Sequence, residues 1–396
     1  MLLSWLVATG IAATAQDVVH YSRDNATFLH QVWEFFMHST LNAPLAEWVP
    51  IGNWMEEKAQ VLALEENYAF VVDHFCESVN VSSIPNTTGL TLARRPRWLK
   101  VPYVAGCPMN DPSFAEQGQH LMLANGLGCL APTRCLHKQW LSDLHDYFMA
   151  HSKHVTLRDL FFPNEVCNIP FLEKDGARVR PYSSYRFGLY LNSLIEHGTL
   201  SNRPRPVMLE VGAGWGAFAA VVKGKFPLTR YVILDIPTSS IFQMGFLHRL
   251  GYMKILSLGA NATRRTVHHI LCCTDFDFLW IGPQHIELLP DNSVDVAVNF
   301  DSMVEMPKAS IDLYLHRISH ASHAFYHINR QAYTLSLLSP RLKRFMSIAE
   351  WNLTYSAENR LHWRAPGARG AYRGIVSGER YTEQYWQRLK AMRESS

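Results

Sequence analysis

No two cysteines of the 396-residue chain are spaced C-x-x-C. That absence removes the zinc ribbon and the thioredoxin-like dithiol from consideration. There is no run of Lys or Arg, and 37 basic residues are balanced by 34 acidic ones. A net charge of +3 is too small to support an electrostatic nucleic-acid binder. The apolar stretch at Met1–Ala15 is too short for a standard membrane-spanning helix, so no stable span is expected. No internal repeat and no low-complexity tract interrupts the chain. His-Glu-x-x-His is also missing. Without its carboxylate, His316 and His320, four apart on a predicted helix, read as core or surface histidines, and no metal site is assigned.

A chain with 48% hydrophobic and 18% charged residues can bury a large core, and its length favours two folded units. Met1–Ala15 ends in Ala13-Thr14-Ala15, which suits a signal-peptide cleavage site, although no basic residue precedes the apolar run. Five N-x-S/T sequons follow, at Asn25, Asn80, Asn86, Asn261 and Asn352. Leader and sequons point to a glycoprotein of the secretory lumen; a cytoplasmic protein with an apolar first helix is the alternative. Seven cysteines, an odd number, suit reduced buried thiols, with disulfides left open in the N-terminal half, where five of them lie.

Residues 16–175 show helical spacing and no lengthy β alternation. Ala26–Ser39 and Leu136–His151 carry apolar residues on one face, and the region is expected to be a mainly helical accessory or cap segment. Ser183 or Ser184 could cap a helix running to about His197. From Pro206 the texture changes to short apolar strands alternating with helices, which predicts a parallel sheet covered on both faces over residues 176–396. The predicted strands are Val207–Val211, Tyr231–Leu234, Phe278–Ile281, Val294–Phe300 and Ala324–Ile328. Two late, partly antiparallel strands are expected at Trp351–Tyr355 and Tyr372–Val376.

The stretch Val207–Asp235 carries most of the chemistry. An apolar strand leads into Glu210, then Gly212, Gly214 and Gly216, then a helix and a second strand ending at Asp235. Glycines let the backbone turn sharply and admit ligand atoms close to it. The following helix offers free N–H groups. A carboxylate at Asp235 can accept hydrogen bonds from both ribose hydroxyls. These features suit S-adenosylmethionine, with Glu210 orienting the turn and the donor's cationic end. Gly212-x-Gly214-x-x-Ala217 also satisfies the dinucleotide fingerprint, so an NAD(P)-dependent oxidoreductase is a rival. A non-catalytic binding protein keeping the same fold is another.

Further along, Asp301 and Glu305 follow a strand and fall at the carboxyl edge of the sheet, where open α/β sheets bind ligands. Gln284, after the third strand, is placed to meet an adenine. Tyr185, on the helix before the first sheet strand, is a candidate to touch the cofactor. His327 and Asn329 end the fifth strand at the same edge, and a histidine near neutral pKa can act as general base.

Taken together, Glu210–Gly216, the Asp235-Ile236-Pro237 ending, Asp301–Met306, and Tyr326 with Asn329 resemble a family of sugar O-methyltransferases. That family is a class I, Rossmann-like, S-adenosylmethionine-dependent group. The resemblance covers roughly Tyr182–Arg330. It implies a doubly wound, mainly parallel sheet and methyl transfer to a hydroxyl of a sugar or other small hydroxylated acceptor. It also implies a base, for which Glu305 or His327 is the expected residue, with Asp301 as an orienting acceptor.

Overall fold

The computed structural model describes residues 17–42, 145–160, 172–174, 177–179, 182–198, 200, 204–214, 216–303, 306–348, 350–359 and 381–389. The leader, most of the proposed cap and the strand expected at Tyr372–Val376 lie outside them.

Near the N-terminus, strand β1 (Val18–His20) precedes helix α1 (Asn25–Asn42). Helix α2 covers 145–151, a small hairpin joins β2 (Leu172–Lys174) to β3 (Ala177–Val179), and α3 spans Tyr182–Glu196. The alternating region then runs β4 (Val207–Val211), α4 (Ala217–Lys225), β5 (Arg230–Leu234), α5 (Pro237–Arg249), β6 (Ile255–Leu258), α6 (Arg264–Cys273) and β7 (Phe278–Ile281). It continues with β8 (Val294–Phe300), α7 (Lys308–Ala321), β9 (Ser322–Arg330), α8 (Ser339–Ile348), β10 (Trp351–Asn359) and β11 (Tyr381–Arg388).

The main sheet has nine strands in the order β1-β6-β7-β5-β4-β8-β9-β11-β10. The strands from β6 through β9 in that order pair in parallel, while β1, β11 and β10 pair antiparallel with their neighbours. Alternating strand residues feed two cores. Met208, Tyr231, Ile233, Trp280, Val298 and Tyr326 pack beneath α1, α3, α4 and α5. Leu209, Val232, Leu279, Ala297 and Phe325 pack beneath α6, α7 and α8. Both faces are covered, as parallel sheets require. The result is a Rossmann-like, doubly wound α/β fold.

The architecture departs from the sequence expectation at β6, at β11 and in the N-terminal segment. Strand β6 was not foreseen, and β7 inserts between it and β5, widening the sheet by one strand. The segment 18–42 does not stand apart as a cap: β1 pairs with β6, and α1 packs on α5 through Phe28, Leu29, Val32 and Phe35. The one-faced apolar spacing over Ala26–Ser39 concealed how much of this segment belongs to the sheet domain.

A buried cation braces the exit of α4. Lys223 Nζ donates to Pro227 O at 2.7 Å, to Thr229 O at 3.0 Å and to Asp277 Oδ1 at 2.8 Å, tying α4, the following loop and the approach to β7. Burial pushes its pKa down, and Asp277 opposes that shift. Lys223→Ala would leave two carbonyls and a carboxylate without their donor. It should cost about 3 kcal/mol of unfolding free energy in a denaturant titration; unchanged stability would mean that water replaces the ammonium.

Candidate functional site

The chain runs from β4 outward through β5 towards one edge and returns as β8 and β9 towards the other. The carboxyl ends of β4 and β8 therefore flank a topological switch point, the crevice in which open α/β sheets bind ligands. The glycine turn leaves β4 there. Gly212, Gly214 and Gly216 have φ of +73°, +58° and +86°. All three lie in the left-handed region that side chains disfavour.

The three glycines do different work. A Cβ on Gly212 would sit 2.1 Å from Ser302 Oγ, so this position packs the turn against the end of β8. A Cβ on Gly214 would meet nothing within 4 Å among the described residues beyond its chain neighbours, so the crest of the turn is open on that side. Gly216 caps α4 without a side-chain partner.

Asp235 ends β5 and holds this turn. Its Oδ2 accepts Ala213 N–H at 2.8 Å and its Oδ1 accepts Ile236 N–H at 2.8 Å. Gln243, fully buried on α5, donates from Nε2 to Gly214 O at 2.8 Å and also to Asp235 Oδ2. Gln243 was missed in the sequence because a lone amide in an otherwise unremarkable helix carries no spacing signal. Across the crevice, Asn299 Nδ2 and Ser302 Oγ both donate to Val211 O at 2.8 Å, fastening β8 to the last residue of β4.

Glu210 lies below the turn and is 2% exposed. Tyr231 Oη donates to its Oε2 at 2.8 Å. Burial pushes the Glu210 carboxyl up to about 8; the tyrosine hydrogen bond acts against this, and the charge of Asp235 adds to it. The acid thus ties β4 to β5 within the core and is not presented to the crevice, in contrast to the orienting role expected from its place before the glycines.

The other expected residues are distributed unevenly. Gln284 stands after β7 on a short 3-10 segment, Pro283–Leu288, and its amide folds back over Gly282. Its buried Oε1 has no hydrogen-bond partner among the described residues. Tyr185 is fully buried, with its hydroxyl 2.8 Å from His145 Nδ1 and its ring against Phe148. So enclosed, it offers no surface to a ligand. Glu305 lies outside the described residues.

Asp301 follows β8 with φ +58°. Its backbone N–H reaches Ile328 O at 2.8 Å, and its Oδ2 accepts Tyr381 Oη–H at 2.9 Å. Arg330 Nε lies 3.7 Å from Oδ1. Asp301, Arg330 and Tyr381 thus meet from β8, β9 and β11 at one edge. Tyr381 could not be anticipated, because β11 itself was not.

His327 is placed differently from the expectation. It is fully buried on the face beneath α7 and α8, with Nε2 3.1 Å from Gln384 Oε1 and Nδ1 3.3 Å from Asn329 Nδ2. Asn329 donates in turn to Asn299 Oδ1 at 3.0 Å. Burial pushes the imidazole down to about 4, so near neutrality it is an uncharged member of a polar ladder, closed to solvent. Period-two alternation sent His327 and Asn329 inward, whereas strand-end position alone had suggested the edge.

No family model matches the chain, and no curated protein does. Among solved structures, geranyl diphosphate C-methyltransferase from Streptomyces coelicolor A3(2) is 10% identical, over 63% of this chain and 98% of that one, with a TM-score of 0.36. Phosphoethanolamine N-methyltransferase 2 from Haemonchus contortus is 11% identical, over 50% of this chain, with a TM-score of 0.33. The match spans about half the length of that second protein, 52%. At such scores the likeness identifies no function, and the site has to speak through its own geometry.

Glu210 makes stability pH-dependent. An unfolded glutamate releases its proton near the ordinary value of 4.5, while the folded chain keeps it to about 8. The protonated form therefore favours folding, and this contribution is lost as pH rises from 4.5 through 8. Glu210→Gln, which keeps an acceptor for Tyr231, should flatten the fall of Tm across that window. Parallel Tm–pH curves for parent and variant would show that the carboxyl ionises normally.

Proposed function

We propose that the chain is an S-adenosylmethionine-dependent methyltransferase with the switch-point crevice as its donor site. The observation that carries this reading is the left-handed glycine turn whose open crest is anchored to Asp235. The residues fit the group. Gly214 leaves room directly above the turn. Asp235 Oδ2 accepts Ala213 N–H and the Gln243 amide, and Oδ1 accepts Ile236 N–H, which fixes the carboxylate after β5, where a ribose hydroxyl would meet it. The orphaned Oε1 of Gln284 suits an adenine amino group. Glu210, held by Tyr231 in the core below the turn, braces β4 against β5.

When bound, the donor supplies an already activated methyl on a sulfonium, so the protein's task is positioning and proton handling. Asp301, oriented by Tyr381 and Arg330, stands at the acceptor side of the edge. A hydroxyl acceptor loses its proton on methylation, and Glu305 or Asp301 would take it. A sugar or other small hydroxylated acceptor is supported by the sequence resemblance over Tyr182–Arg330. The secretory lumen is our reading of the compartment, supported by the leader and by the exposure of the sequon residues Asn261 and Asn352.

Titration calorimetry tests the cofactor. S-adenosylmethionine and S-adenosylhomocysteine should bind at micromolar concentrations and NAD should not; the reverse pattern would establish the oxidoreductase reading, which Gly212, Gly214 and Ala217 also satisfy. Asp235→Ala should weaken donor binding by about tenfold or more, since it removes charge-assisted hydrogen bonds worth roughly 1.5–3 kcal/mol each. Unchanged affinity would refute the assignment of Asp235. Labelled-methyl incorporation into hydroxylated acceptors separates an enzyme from a binding protein.

A further inference from the structure

Helix α6 ends in two adjacent cysteines, Cys272 and Cys273, one turn beyond His269. On a helix, residues three and four positions along return to the face of the first, so both sulfurs come round to the imidazole. Ligand atoms of all three residues lie within 4.8 Å of one another, and all three side chains are exposed. No other such group of His, Cys, Asp or Glu occurs among the described residues. The two sulfurs are joined to each other. The cluster sits at the far end of α6 from its Thr263 cap and is built from residues that the donor crevice does not use.

We propose that His269, Cys272 and Cys273 form a surface site for a thiophilic divalent cation of the zinc class when the cysteine pair is reduced. Two thiolates and one imidazole are a soft, borderline set that prefers such ions to calcium or magnesium. Three protein ligands on an exposed helix end leave the fourth tetrahedral position to water or another ligand. Joined sulfurs cannot serve as thiolates, so the disulfide form is the closed state of the site. With a phosphine as reductant, the S–S bond breaks and each cysteine gains a proton. The phosphine takes an oxygen from water and becomes its oxide. Metal binding then displaces the two thiol protons, so affinity rises with pH.

Cobalt(II), a spectroscopic stand-in for zinc, tests the site on the full chain. The phosphine-reduced protein should bind one equivalent of cobalt at this site with thiolate-to-metal charge-transfer absorption, and zinc should displace it. Cys272→Ser should abolish that absorption. His269→Ala should weaken zinc binding by about tenfold or more, because even the outer partners of metal ligands contribute about that much. Oxidised protein should bind neither ion there. The remaining five cysteines all precede residue 170, so the Cys272→Ser/Cys273→Ser variant isolates their contribution. Equal binding by that variant, or by the oxidised protein, would overturn the proposal. As all three side chains are exposed, the variants should keep the parent Tm, and a Tm comparison distinguishes ligand loss from misfolding.

Discussion

Gly212 and Ser302 approach so closely that a single added methyl carbon would overlap the serine hydroxyl at 2.1 Å. This approach packs the glycine turn directly against the residues that follow β8. Because the turn can press against the end of β8, Ser302 and Asn299 both reach Val211 O and lock the two strand ends together. Because Gly212 takes a left-handed φ, the chain then rises towards Gly214 instead of continuing along β4. Everything that positions the proposed donor site, from the Ala213–Asp235 bond to the start of α4, follows from that reversal.

Several polar groups buried within the sheet domain act as internal supports. Glu210 with Tyr231, Lys223 with Asp277, and the ladder Asn299–Asn329–His327–Gln384 are enclosed and bonded to protein partners. Buried polar groups that satisfy one another in this way specify one packing arrangement. A second enclosed carboxylate, Glu383, receives Ser193, Tyr326 and Asn359 and joins α3 to the antiparallel edge. Asp235, Gln284 and Asp301 differ in place, since each follows a strand at the carboxyl edge of the sheet.

Much of the fold was legible because its signals are local. The apolar, largely buried runs at Val207–Val211, Phe278–Ile281 and Val294–Phe300 form strands with the expected bounds. The helix expected to be capped by Ser183 or Ser184 begins earlier, at Tyr182, and ends at Glu196, beside its expected end. What was not legible depends on distant partners. Val18–His20 is a strand only because β6 offers it an edge. Tyr381–Arg388 sits between β9 and β10, and its Glu383 looks like a surface residue until Ser193, Tyr326 and Asn359 surround it.

The sequence by itself determined the alternation of strand and helix, the glycine turn, and the acids that flank it. Those are set by period, backbone conformation and residue type, all of which act within a few positions. Only the tertiary structure decided that β7 lies between β5 and β6, that Gln243 secures the turn, and that His327 faces a closed core while Asp301 faces the edge. These depend on which strands become neighbours and which face each residue presents. The cluster of His269, Cys272 and Cys273 belongs to the first kind, since one helix turn brings the three side chains together.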